Sequence, residues 1–353
     1  MTVVGIFLSY VVGAIPTLNY VHSAAVAGML TLLFEVLVLL LYESPRWLIS
    51  IGRHSSAERA LSWLRQSQEM AKEEAEEIRN IVQNSPKLSI AKRLYELRQR
   101  HLYLPFILSL TLIFFHQFSG INVIIFYAAT IFQTAGIHYA REAAMFAVGG
   151  LQILATIISS ALVDRAGRKV LLVSGSIGMA ISSATLGAHF FITRSTLCGN
   201  ASSDADANST LLNSTTDDCA AFAPLAIGSL VGFGFAFSVG WRALPFIVIS
   251  ELFPLKLRGL LGGIGLCSLW FYASLITGFY QDYEQAVQQY TAWWTFSFIS
   301  FLSIFFVLIF IPETKGKTLE EIEEHFKKRK EKVVGIKNSV YFYIEDLDKE
   351  TTV

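Results

Sequence analysis

The sequence predicts an all-α membrane protein, a helical bundle with about eight transmembrane helices. Three observations predict it. Hydrophobic residues fill 53% of the 353 positions and charged residues only 16%, with a mean hydropathy of +0.49. That is more apolar surface than a soluble core buries. Apolar runs long enough for a membrane helix, about 20 residues each, recur along the chain. Strict two-residue alternation, the mark of a membrane barrel, is absent from them.

In order, the runs cover residues 1–18, 21–42, 105–133, 143–163, 169–193, 221–249, 258–280 and 292–311. The first run enters the membrane-length segment directly, without a basic leader region or a cleavage site. Between the second and third lies a polar stretch rich in Glu, Lys, Arg and Ala, which reads as a solvated helical linker. SSAE at 55–58 resembles a capping box ahead of an amphipathic run, and EMAKEEAEEIRNIV and LSIAKRLYELRQR predict two further helices. The expected organisation is therefore two helices in 1–42, the linker in 43–104, a six-helix bundle in 105–312 and a polar tail in 313–353.

Charge gives the sidedness. The formal net charge is zero, but 25 of the 28 Lys and Arg residues fall in segment 43–100, in DRAGRK at 164–169, in PLKLRG at 254–259 and in the tail after Pro312. All of these lie on one side if the runs alternate, and basic residues collect on the cytoplasmic side. Loop 194–220 lies opposite and carries the acceptor sequences Asn200-Ala-Ser, Asn208-Ser-Thr and Asn213-Ser-Thr. Glycans are added on the lumenal face. Cys198 and Cys219 sit in the same loop, where an oxidising compartment would allow a bridge between them. The remaining cysteine, Cys267, is placed in a span as a packing residue.

Function begins with a cost. The stretch FFHQFSGINVIIFY at 114–127 puts His116, Gln117 and Asn122 inside an apolar run around Gly120. An unpaired polar side chain in hydrocarbon costs roughly 2 to 7 kcal/mol. Amide side chains offer both donors and acceptors, which suits a ligand rich in hydroxyls. On a regular helix Gln117 and Asn122 point about 140° apart, so a local break at Ser119-Gly120 is needed to make them converge. Internal repetition adds a second clue: YESPRW at 42–47 follows one span and IPETKGK at 311–317 follows another six spans later. Repeats of six helices are common in transporters, and the first repeat here would hold only two.

Five motifs, ESPRWL, QFSGIN, DRAGRK, ELFPLKLRG and PETKGKTLEEIEEHF, run nearly end to end. They resemble the sugar-porter branch of the major facilitator superfamily, particularly the facilitative glucose and trehalose transporters. The resemblance implies twelve helices in two pseudo-symmetric halves, of which this chain carries the last two of the first half and all six of the second. It implies facilitative transport of a hexose or related sugar through a central site by alternating access. Proton-coupled symport and a non-transporting regulatory isoform are the alternatives. His116, Gln117, Asn122, Gln152, Phe246 and Trp270 then map onto substrate-binding positions, and Phe126 with Tyr127 onto an outer gate. Arg46, Asp164, Arg168, Glu251, Arg258 and Glu313 map onto a cytoplasmic ion-pair network. The membrane implied is the plasma membrane or an endolysosomal one.

The chain also departs from the family pattern. His116 stands where a glutamine is usual, Leu269 where an asparagine is frequent, and Phe246 in place of a cavity tryptophan. The run GWRALPF at 240–246 introduces Arg242 well inside a span. A charge there costs about 2.5 to 3.5 kcal/mol on insertion scales, so Arg242 is expected to face water, substrate or a carboxylate, and, pointing into the cavity, to shift preference from a plain hexose toward another or an anionic substrate. The end, Thr351-Thr-Val353, has the form that adds as a strand to a PDZ-type partner. No catalytic or metal-ligating motif is present in the sequence, so neither an enzyme nor a cofactor is expected, and nothing points to nucleic acid.

Overall fold

The computed structural model describes residues 2–15, 20–84, 95, 98–135, 141–193, 223–253, 257–317 and 321. Seven stretches among them are long and apolar enough to cross a membrane. The first expected run falls short of that. It forms α1 (Thr2–Gly13), apolar but only 12 residues long, and Pro16 disfavours helix at the residue before it.

By compactness the chain forms two units, one of Ile15–Glu96 and one of Met1–Ala14 with Leu97–Val353. The smaller unit contains α2 (Tyr20–Leu39), α3 (Pro45–Ser50), α4 (His54–Arg65) and α5 (Gln68–Asn84). None of the apolar window of α2 is buried within the protein. A helix that is apolar all round belongs in lipid. The three polar helices share a small core of Leu48, Ile49, Ala57, Ala60, Leu61, Ala71 and Ala75, whose alanines allow close approach, and Arg65 grips Glu74 in a fork at 2.7 and 2.9 Å. The expected capping box is not formed. Gly52, at φ +83°, ends α3 with a left-handed turn, so α4 starts at His54 with Arg53 in the capping position, and the serines of SSAE fall inside its first turn.

The larger unit adds α6 (Arg100–Phe118), α7 (Ile121–Thr134), α8 (Arg141–Ala166), α9 (Arg168–Ile192), α10 (Ala223–Gly240), α11 (Leu244–Leu252), α12 (Arg258–Val287) and α13 (Gln289–Phe310). Helix α1 joins it through Phe7 against Phe146 and through the Tyr10 hydroxyl, which donates to the Ile125 carbonyl at 3.1 Å. Helix α9 is the centre of the bundle and packs most extensively on α10 and α13. Small residues make this possible. A Cβ on Gly240 would lie 2.5 Å from the Leu171 carbonyl oxygen and 2.8 Å from the Gly175 Cα. Serines supply the polar links between helices: Ser303 donates to Ser176 at 2.8 Å and Ser297 to the Ala180 carbonyl at 2.7 Å.

Two of the expected spans are interrupted. Run 105–133 is α6 followed by α7, broken at Ser119-Gly120, and run 221–249 is α10 followed by α11, broken at Trp241-Arg242-Ala243. Irregular backbone at membrane depth is tolerated where it lines water or lies within protein. Loop 194–222, with Asn200, Asn208, Asn213, Cys198 and Cys219, lies outside the described residues, as do Thr351–Val353 and most of the third linker helix.

Candidate functional site

At the first interruption Gly120 adopts φ +96° and forms the N-cap of α7. The turn brings the two amides together. Asn122 Nδ2 donates to Gln117 Oε1 at 3.0 Å, and Gln117 Nε2 donates to the Leu269 carbonyl of α12 at 2.8 Å. Glycine is required here twice, because its φ is left-handed and because a Cβ would lie 2.9 Å from the Phe296 ring.

At the second interruption the Trp241 and Arg242 amides both donate to the Phe237 carbonyl, at 2.7 and 2.9 Å, closing α10. Pro245 opens α11 within its first turn, where its missing N–H costs nothing. Trp241 fixes the break in place. Its fully buried indole donates to the Leu172 carbonyl at 3.0 Å and the Ser176 hydroxyl at 2.9 Å.

Arg242 is therefore on an irregular step between helices rather than on a helix face. Its Nη2 donates to Gln152 Oε1 at 2.6 Å and its Nε to the Ser238 hydroxyl at 3.2 Å, and its guanidinium carbon sits 5.4 Å from the centre of the Phe237 ring. The same Phe237 ring packs edge to face with His116, whose ring lies 5.1 Å from it and 5.6 Å from Phe246. One aromatic ring thus joins the two interruptions into a single cluster of His116, Gln117, Asn122, Gln152, Arg242 and Phe246.

The polar members are deeply buried: Gln152 is 1% exposed, Gln117 3% and His116 8%. Gln152 Nε2 and His116 Nδ1 have no hydrogen-bond partner among the described residues. Buried polar atoms are paired in the great majority of cases, so these two mark hydrogen-bonding capacity held open. Arg242 finds no carboxylate at ion-pair distance among the described residues; its partners are an amide, a hydroxyl and a ring.

The expected gate and aromatic lining are more scattered. Tyr127 donates its hydroxyl to the Thr277 carbonyl at 3.0 Å and packs on Tyr280, while Phe126, its neighbour, is 65% exposed. Trp270 is 66% exposed and makes none of the ring contacts that hold the cluster. Phe246 also lines a cavity of about 220 Å³ together with Ile113, Ile249, Phe253, Arg258 and Leu266.

At the basic end, the charged motif residues separate by role. Arg168 pairs with Glu251 at 3.3 Å and with Asp164 at 3.5 Å. Glu313 forms no such pair with the network residues described, a correction to its expected place among the ion pairs. Its carboxylate accepts the Arg168 and Lys169 amides, both at 3.1 Å, and the Lys315 amide at 3.0 Å. It caps the start of α9, where helix N–H groups are unpaired and negative charge is favoured. Burial pushes this carboxyl up, but the amides of Lys315, Lys169, Arg168 and Thr314 outweigh it and hold it below the usual carboxylate range. Gly167, at φ +89°, lets the carboxylate approach; a Cβ there would lie 2.9 Å from Glu313 Oε2. Arg258 is a second correction: its Nη2 donates to the Phe253 carbonyl at 3.3 Å and no carboxylate pairs with it among the described residues. Arg46 is exposed in the smaller unit.

The family model described as "Sugar (and other) transporter" matches residues 1–326. The chain belongs to this sugar transporter family. It is 31% identical over 335 residues to the facilitated trehalose transporter Tret1 of Drosophila erecta, covering 95% of this chain and 37% of that protein. Trehalose transporter 1 of Drosophila melanogaster is also 31% identical over 335 residues, at 95% and 36% coverage. The chain thus spans a little over a third of the length of the curated relatives it matches. Among solved structures, the major facilitator superfamily proton:xylose symporter XylE bound to 6-bromo-6-deoxy-D-glucose superposes with a TM-score of 0.66 at 25% identity, covering 92% of this chain and 64% of that one. The inward-open form of XylE from E. coli gives a TM-score of 0.64. The fold is the all-α bundle of that superfamily, and the protein is a multi-pass membrane protein of a family of transporters, not of enzymes.

Several residues of the cluster carry no signal in the sequence. Phe237, Ser238, Trp241 and the Leu269 carbonyl act through contacts made between helices. Only the Trp-Arg pair ahead of a proline hints at the second break.

Proposed function

We propose that this chain moves a hexose or related sugar across a membrane by facilitative alternating access, and that the cluster at the two helix interruptions is its half of the sugar site. The observation that carries this reading is the joining of His116, Gln117, Asn122 and Gln152 beside two helix interruptions, with buried amide and imidazole atoms left unpaired among the described residues. Discontinuous helices are where carriers of this kind place their substrates. The names of the relatives, trehalose and xylose transporters, support the substrate class.

Three or four net hydrogen bonds at about 1 kcal/mol each give about millimolar affinity. That is weak enough to release the sugar. Phe126 and Tyr127 form the outer gate in this reading, Trp270 lines the passage, and the pairs of Arg168 with Glu251 and Asp164 hold the inner side closed. The boundaries are two helices in 1–42, a linker in 43–104, six helices in 105–312 and a tail in 313–353 that meets a PDZ-type partner. The plasma membrane or an endolysosomal membrane is the location, with glycans on Asn200, Asn208 and Asn213 and a bridge between Cys198 and Cys219.

Uptake of radiolabelled glucose, trehalose and xylose into proteoliposomes of the purified protein tests the reading. The expected result is saturable exchange that an uncoupler leaves unchanged. Uncoupler-sensitive accumulation would establish proton-coupled symport instead, and no flux with any sugar would remove the carrier reading.

A further inference from the structure

Resting on the carrier reading above, we propose that the preferred substrate is a sugar bearing one carboxylate, with Arg242 as the residue that selects it. The guanidinium is the only charged group in the cluster, and its contacts among the described residues, Gln152 Oε1, Ser238 Oγ and the Phe237 face, are neutral. A neutral sugar would leave that charge uncompensated in a partly buried site. A carboxylate would neutralise it and match the planar fork of the guanidinium in two parallel hydrogen bonds.

The same geometry explains the state of Gln152. Its Oε1 is held by Arg242 at 2.6 Å while its Nε2, fully enclosed beside Gly234, has no partner among the described residues. A carboxylate taking over the Arg242 Nη2 proton releases the Gln152 amide, which then serves a sugar hydroxyl. Arg242 and Gln152 therefore exchange partners on binding. Charge selects the class as well: with no Lys or second Arg contacting the cluster among the described residues, one negative charge is balanced and two are not. That favours a uronate over a sugar phosphate.

The test is equilibrium binding to the purified protein of radiolabelled glucose and glucuronate, each in competition with unlabelled glucose, glucuronate and glucose 6-phosphate. Glucuronate is expected to bind about tenfold more tightly than glucose, a comparison that needs no variant. In Arg242→Gln the glucuronate-to-glucose ratio is expected to fall to one or below. Equal affinity of the wild type for glucose and glucuronate would overturn the proposal and leave the carrier reading standing, as would an unchanged ratio in Arg242→Gln. Tightest binding of glucose 6-phosphate would overturn the single-charge class. If neither labelled sugar binds, the carrier reading fails first and this proposal falls with it.

Discussion

Asn122 donates to the side-chain oxygen of Gln117 at 3.0 Å, although the two are five residues apart in the chain. A continuous helix would point them about 140° away from each other. Gly120 removes that obstacle by turning the chain at φ +96° between them.

Gly120→Ala should therefore be costly. Forcing a non-glycine residue into this region costs on the order of 1 to 3 kcal/mol, and the added methyl meets the Phe296 ring at 2.9 Å. The melting temperature of the detergent-purified protein is expected to fall by about 3 °C or more. An unshifted melting curve would mean that the break is not held by this glycine.

Gln117 and Asn122 should act as one unit. Replacing either with alanine is expected to weaken glucose binding about tenfold, the equivalent of one charge-free hydrogen bond together with a partner left misoriented. The double variant should lose less than the product of the two, because each single change already disorders the pair. Equilibrium binding of labelled glucose to the three variants measures this; strictly multiplicative losses would show the amides to be independent.

Trp241→Phe keeps an aromatic ring at the second break but removes the indole donor that reaches both Leu172 and Ser176. A loss of about 1 to 2 kcal/mol in unfolding free energy is expected. The denaturant midpoint reads it directly, and an unmoved midpoint would assign the anchoring of the break to packing alone.

Glu313 gives a pH signature. Its carboxyl is held below the usual carboxylate range, so it contributes stability above its unfolded pKa, about 4.3, and loses that contribution as the pH falls through the lower folded value. Glu313→Gln lacks the charge at every pH. The melting temperatures of wild type and variant are expected to differ at pH 6 to 7, by an amount reflecting a cap worth about 1 kcal/mol, and to converge as the pH falls through the lower folded value. A difference that stays constant across this range would remove the charge from the explanation.

Much of this protein is written in its sequence by itself. Apolar runs, the one-sided placement of Lys and Arg and the five motifs identify a multi-pass helical membrane protein of the sugar transporter family, because hydrocarbon thickness and backbone hydrogen bonding leave a chain this apolar few other solutions. The convergence of Gln117 and Asn122 was also legible, since a glycine beside two membrane-depth amides makes a break the cheapest arrangement. The partners of Arg242, the anchoring of Trp241 and the turn of Glu313 from an ion pair to a helix cap were decided only in the tertiary structure. Each depends on which helices cross and how closely. Gly175 against Gly240 brings α9 onto α10, and Gly167 opens the path from the chain after α13 to the start of α9. Such distances arise from contacts between residues tens of positions apart, and local periodicity carries no record of them.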